Sequence, residues 1–316
     1  MGRNMDWVDE LETALWVLPR GQERNDNVEG KLAWTSKYGS VVASQYDLIA
    51  TDGVNEAGLA GHLLWLAESD YGTYNPDRPA LGLSVWLQYM FDNFATVTEA
   101  VDWMEATDVQ VVSMVDPIYG RFITLHMVLE DAQGDSAVVE YIDGQMVIHH
   151  GPEYTVVTNS PSYDEQLENV KRYEGFGGTL PLPGSTEADA RFVRASFYVK
   201  NLPQPKDEAE AVAELLSVLR NVAQPFGTPD PERPNISTTV WRTIADLTSM
   251  RYIFESCYKP NIVWVDIHKL DFAVGAPSRK LDVTGTGWLV GDVSAQFEAR
   301  PVLEFIPIQL QATPVG

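Results

Sequence analysis

The stretch from Arg121 to Ser160 constrains the fold most, because it alternates β-forming runs with turn chemistry at short intervals. Phe122 to Glu130 is rich in β-formers and ends at Ala132-Gln133-Gly134-Asp135. Ser136 to Tyr141 follows and closes at Asp143-Gly144. Met146 to His149 then runs to Gly151-Pro152, and Tyr154 to Thr158 comes last. Four short runs divided by Gly, Asp and Pro predict an antiparallel meander.

Helical patterns bracket this meander. Leu81 to Phe94 carries Val85, Trp86, Tyr89 and Met90 at helical spacing. Thr96 to Glu99 and Ser162 to Glu165 are capping-box patterns, opening helices that run to Met104 and through Leu167 to Val170. Glu187 to Val199 reads as helix. So does Asp207 to Arg220, with Ala211, Val212, Leu215, Leu216 and Leu219 on one face. Arg251 to Phe272 and Gly287 to Glu298 return to strand character. Prolines 203, 205, 225, 229, 231 and 234 read as loops around one helix, not as a linker. Strands, helices and strands again predict an α+β fold with antiparallel sheets, in a single domain over 1–316.

Charge narrows the partners. With 22 basic and 45 acidic residues the net charge is −23, which disfavours nucleic acid and anionic membranes. No apolar run is long enough to span a bilayer. One cysteine, Cys257, rules out an intrachain disulfide and thiolate-rich zinc sites, and the five histidines lack HExxH-type spacing. No metal or cofactor is implied.

Residue types alone leave the site open. Arg3 and Asp6 read as a local surface ion pair. Asn159, at a predicted strand-to-helix junction, suits turn chemistry or a site. Arg191 and Arg194 share a predicted helix face, and Trp65 reads as core. Cys257, in an apolar stretch, reads as a buried structural thiol.

Four strings together resemble the choloylglycine hydrolase/penicillin V acylase family. They are Gly2-Arg3-Asn4-Met5-Asp6-Trp7, Asn55-Glu56-Ala57-Gly58-Leu59-Ala60-Gly61, Thr158-Asn159-Ser160-Pro161, and Leu182-Pro183-Gly184 followed by Ala190-Arg191-Phe192-Val193-Arg194. The resemblance implies a four-layer αββα sandwich and hydrolysis of linear amides by an N-terminal cysteine, with its α-amine as general base. It implies that Arg3 favours the thiolate and that Asp6 orients the amine. Asn159 and the Trp65 backbone N–H would hold the oxyanion, and Arg191 would complete the polar cluster. Trp7 and Trp65 would meet a small-molecule acyl amide, favouring the penicillin V acylase-like branch over conjugated bile salt hydrolysis. Relatives of this kind imply a homo-oligomer, a tetramer.

The cysteine and the first strand that would carry it lie upstream of Gly2 in the family, whereas only Met1 precedes Gly2 here. A start placed downstream of the true one, a fragment of a longer precursor, or an inactive amide-binding member each accounts for this. The chain is cytoplasmic if Met1 is the true start, and periplasmic or secreted if a signal peptide lies upstream.

Overall fold

The computed structural model describes residues 1–227, 237–259, 261–285 and 287–310. Pro229, Pro231 and Pro234 lie outside the described residues. The chain opens with β1 (Gly2–Trp7), β2 (Thr13–Leu18) and the small hairpin β3 (Glu23–Asn25) and β4 (Ala33–Thr35). Next come β5 (Ser40–Gln45), β6 (Ile49–Asn55), β7 (Leu59–Trp65) and β8 (Ala80–Gly82). Helices α1 (Leu83–Asn93) and α2 (Val97–Thr107) and strand β9 (Gln110–Val112) lead to β10 (Leu125–Asp131), β11 (Ser136–Ile142) and β12 (Gln145–His150). Then follow α3 (Tyr163–Val170), α4 (Ala188–Lys200) and α5 (Glu208–Asn221). The last strands are β13 (Thr238–Asp246), β14 (Arg251–Ser256), β15 (Asn261–Asp266), β16 (Arg279–Asp282), β17 (Gly291–Asp292) and β18 (Glu298–Ala299).

Among the described residues these strands form a nine-stranded sheet in the order β12-β11-β10-β7-β6-β5-β2-β16-β18. A five-stranded sheet has the order β1-β13-β14-β15-β17. Side chains alternate across each strand, so one strand can feed two cores. In β2, Leu15 and Val17 pack between the sheets, with Trp241, Tyr252 and Phe254 of the smaller sheet. Ala14, Trp16 and Leu18 face the other way, into the core shared with α1 and α2. On the far side, Ile244 and Ile253 pack against Leu216 and Leu219 of α5. The layers are therefore helix, sheet, sheet, helix. No helix among the described residues is long and apolar enough to cross a membrane.

Both predicted helix starts are capped, but only the second as a reciprocal box, since Glu99 turns to the Ala95 N–H at 2.8 Å. Thr96 Oγ1 accepts from the Glu99 backbone N–H at 3.2 Å, and Ser162 and Glu165 cap each other reciprocally. The meander is shorter than its sequence predicts. Phe122 makes only an isolated bridge to Val115, and the strand begins at Leu125. Tyr154 to Thr158 is not a strand at all. After Gly151, whose φ is 148°, the chain leaves the sheet, and Tyr154, Val156 and Val157 pack against the Tyr163 and Phe192 cluster of α3 and α4. Helix packing buries those β-prone side chains, so burial did not require a fourth paired strand. The predicted Gly287–Glu298 strand is reduced to the two-residue β17 and the start of β18.

A buried carboxylate fastens the sheets to each other. Asp52 of β6 is fully buried. It meets His62 Nδ1 at 2.5 Å, and it accepts from the Tyr252 hydroxyl at 2.5 Å and from Thr243 Oγ1 at 3.2 Å. Arg3 Nη1 lies 3.6 Å away. Burial pushes this carboxyl up, but His62, Arg3 and Tyr252 outweigh that and hold it below the usual carboxylate value. A depressed folded pKa stabilises the fold above the unfolded pKa and loses that contribution as pH falls through the folded value.

Two measurements follow from this packing. Leu15→Ala, at a fully buried inter-sheet position, is expected to lower the unfolding free energy by about 2–5 kcal/mol in urea titrations. Asp52→Asn is expected to cost about 3 kcal/mol at neutral pH. That deficit should shrink as pH falls below about 4, where the unfolded wild-type carboxyl protonates first, and vanish as the native one follows. A deficit that stays constant into acid would count against the linkage.

Candidate active site

A cavity of about 810 Å³ opens beside β1, and its wall includes Arg3, Asp6, Trp7, Trp65, Asn159 and Arg191. These six residues come from opposite ends of the fold's first two-thirds, so topology and not local sequence brings them together. A smaller hollow of about 180 Å³ is lined by Tyr71, Tyr74, Gln110 and Phe122, among others, and by no charged side chain among the described residues. Polar chemistry therefore concentrates in the larger cavity.

A bulge in β1 sorts its side chains. Met5 pairs with Trp241 but Asp6 pairs with Thr239, so the register slips between Met5 and Asp6. Arg3 and Met5 are buried toward the nine-stranded sheet, where Arg3 Nη1 donates to the Thr51 carbonyl at 2.5 Å and its guanidinium covers the Trp241 ring at 5.3 Å. Burial lowers the Arg3 pKa, with Asp52 opposing. Asp6 instead accepts from Thr239 Oγ1 at 2.5 Å and Gln224 Nε2 at 3.3 Å. The predicted Arg3–Asp6 surface pair does not form. Arg3 pairs with Asp52, and Asp6 pairs with Arg191, because each finds a buried partner on a different packed layer.

Arg191 carries the polar connection onward. It is 7% exposed, and so is not on a solvated helix face. Its Nη1 lies 3.4 Å from Asp6 Oδ2, and its Nη2 donates to Asn159 Oδ1 at 2.8 Å. Nε donates to the Thr186 carbonyl at 3.0 Å. Asn159 Nδ2 in turn donates to the Trp65 carbonyl at 2.7 Å. An amide nitrogen carries two hydrogens, so Asn159 keeps one donor beyond this bond. Arg194, three residues on, turns to the carbonyls of Pro183 and Ser185.

The turn that holds Asn159 is braced from beneath. His126 meets Glu140 at 3.0 Å through Nδ1 and the Thr158 carbonyl at 3.0 Å through Nε2. Gln166 Nε2 donates to the carbonyls of Asn159 and Ser160, at 3.3 and 3.2 Å. A donor fixed this way needs little reorganisation when charge develops in front of it.

An aromatic wall faces the polar chain. The Trp7 and Trp65 ring centroids are 6.3 Å apart, and Tyr119 meets Trp7 edge-on at 5.8 Å. Arg121 sits over both indoles, 4.8 Å from each centroid. Sequence reasoning missed Arg121, Tyr119 and Asp52. The two indoles it did single out meet Arg121 only through the fold, since both lie more than fifty residues from it in the sequence. Among the described residues Cys257 makes no side-chain hydrogen bond to the polar chain and is half-buried, with a thiol pushed up to about 11 by burial.

Residues 1–284 match the linear amide C-N hydrolases, choloylglycine hydrolase family. The chain is 43% identical over 327 residues to the penicillin V acylase of Pectobacterium atrosepticum, across 96% of this chain and 87% of that protein. It is 28% identical over 251 residues to a bile salt hydrolase/transferase of Bifidobacterium longum, across 70% of this chain and 76% of that protein. The solved penicillin V acylase from Agrobacterium tumefaciens superposes with a TM-score of 0.89 at 45% identity, covering 97% of this chain and 95% of that one. A fold with these layers and a match over most of its length assign the molecule: the chain belongs to the choloylglycine hydrolase family of linear amide C-N hydrolases.

Proposed function

We propose that this cavity receives a linear acyl amide of the penicillin V kind, with the acyl half against Trp7 and Trp65 and the amide carbonyl at Asn159. The observation that carries this reading is the convergence of an indole wall and the Asp6–Arg191–Asn159 chain on one cavity. Acyl transfer places negative charge on the carbonyl oxygen, and a fixed N–H donor there stabilises the transition state. The second hydrogen of Asn159 Nδ2 is such a donor. Arg191 polarises that amide by taking its oxygen. Asp6 accepts on its other side and is placed to orient the α-amine of a nucleophile. Arg3, buried two residues before Met5, would favour a thiolate beside it.

Cleavage in this scheme needs a thiol next to a free α-amine. Cys257 is the sequence's one cysteine, and it lies within the chain with its thiol held protonated at neutral pH. We therefore assign binding and oxyanion stabilisation to Trp7, Trp65, Asn159 and Arg191 and give Cys257 no catalytic part. Two indoles suit an aryloxyacetyl or alkyl chain better than a hydroxylated steroid. The resemblance to two penicillin V acylases above 40% identity supports the same choice.

Titration calorimetry of the 316-residue chain with penicillin V tests this reading. Saturable binding is expected, and Trp7→Ala or Trp65→Ala should each weaken it by roughly tenfold or more, the loss of one large apolar contact. Tighter binding of a glycine-conjugated bile salt, or affinity indifferent to both indoles, would contradict it.

A further inference from the structure

We propose that Arg121 forms an anion subsite on the aromatic wall, so that amides bearing a carboxylate are preferred over neutral ones. The inference rests on the amide-binding reading above and names the chemical class that the cavity selects.

Arg121 is placed unusually for an arginine in so acidic a chain. Acidic residues outnumber basic ones 45 to 22, so a cation should readily find a carboxylate. Arg3, Arg20, Arg24, Arg78, Arg191 and Arg242 all do. Among the described residues Arg121 has no ion pair, and its Nε is buried with no hydrogen-bond partner. The nearby carboxylates are committed elsewhere. Asp116 accepts from the backbone N–H groups of Ile118 and Tyr119, at 2.7 and 3.1 Å, which closes the turn that carries Arg121. Asp9 accepts from the Tyr119 hydroxyl at 3.2 Å.

Three rings hold the guanidinium instead. Trp7 and Trp65 lie 4.8 Å from it and Tyr119 lies 5.7 Å from it. Ring faces stabilise the cation without using its in-plane N–H donors. Trp7 Nε1 on the same wall is likewise buried without a partner, and it too can only donate. Arg121 is only partly buried and lines the cavity, and among the described residues its Nη groups make no hydrogen bond or ion pair, so its outer N–H groups are free to meet a ligand acceptor, and a carboxylate fits a planar guanidinium best. Against a net charge of −23, an anionic ligand would otherwise be repelled, so a local cation is what makes its entry favourable.

The anion can belong to either half of the amide, and the probes separate the two. They are N-phenoxyacetylglycine with its neutral glycinamide counterpart, and glutaric acid monoanilide with neutral butyranilide. Binding to the full chain is read by tryptophan fluorescence and by calorimetry. At least one carboxylate is expected to bind roughly tenfold more tightly than its neutral counterpart. Arg121→Gln should abolish that preference while leaving the neutral amides bound within about threefold, and Arg121→Lys, a point charge without the fork, should keep part of it. The inference is overturned if both wild-type pairs bind equally, which needs no variant. It is also overturned if Arg121→Gln keeps the preference, or weakens charged and neutral probes alike, as a purely structural stack would. Neutral probes that bind through Trp7 and Trp65 with no charge preference would remove this subsite and leave the amide-binding reading standing. If none of the four binds, both fail.

Discussion

The guanidinium of Arg191 is the joint on which the site depends. One side meets Asp6 on β1, at the edge of the smaller sheet. The other meets Asn159, whose amide holds the Trp65 carbonyl at the end of β7 in the larger sheet. A side chain on α4 therefore fixes the distance between the two sheets where the cavity opens. Removing it would leave the Asp6 carboxylate, which is largely buried, short of its cation, and such a loss is strongly destabilising. Position and electrostatics are thus coupled: the contact that closes the architecture also orients the Asn159 amide beside the cavity.

Charge distribution gives this joint its chemical meaning. The chain is strongly acidic, yet Arg3, Arg121 and Arg191 all line one cavity. Arg3 and Arg191 are anchored by Asp52 and Asp6, so their positions are set before any ligand arrives. Pre-set dipoles and cations lower the cost of acyl transfer, because they need not reorganise when the reacting oxygen gains charge.

Helices were the most legible part of the sequence. Thr96, Ser162 and the leucine face of α5 act through neighbours three or four residues away, and those signals sit in the local string. Long-range choices were not legible. Nothing near Arg3 says that its partner is Asp52, or that a bulge turns Asp6 toward Gln224 and Arg191. Tyr154–Thr158 looked like a strand because its side chains favour sheets, but α3 and α4 buried them first. Arg121 gave no signal because the indoles that flank it come from two different sheets, far from it in the sequence. The resemblance supplied Arg3, Asp6, Asn159 and Arg191 as a group, which residue types alone did not.

The most direct measurement is a crystal structure of this chain with an N-phenoxyacetyl amide bound. The aryl ring should lie against Trp7 and Trp65, and the amide oxygen should sit about 2.7–3.1 Å from Asn159 Nδ2, with the Arg191–Asn159 bond intact. A ligand held in the hollow at Tyr71 and Phe122, or in the main cavity with its carbonyl turned away from Asn159, would contradict the placement of the site.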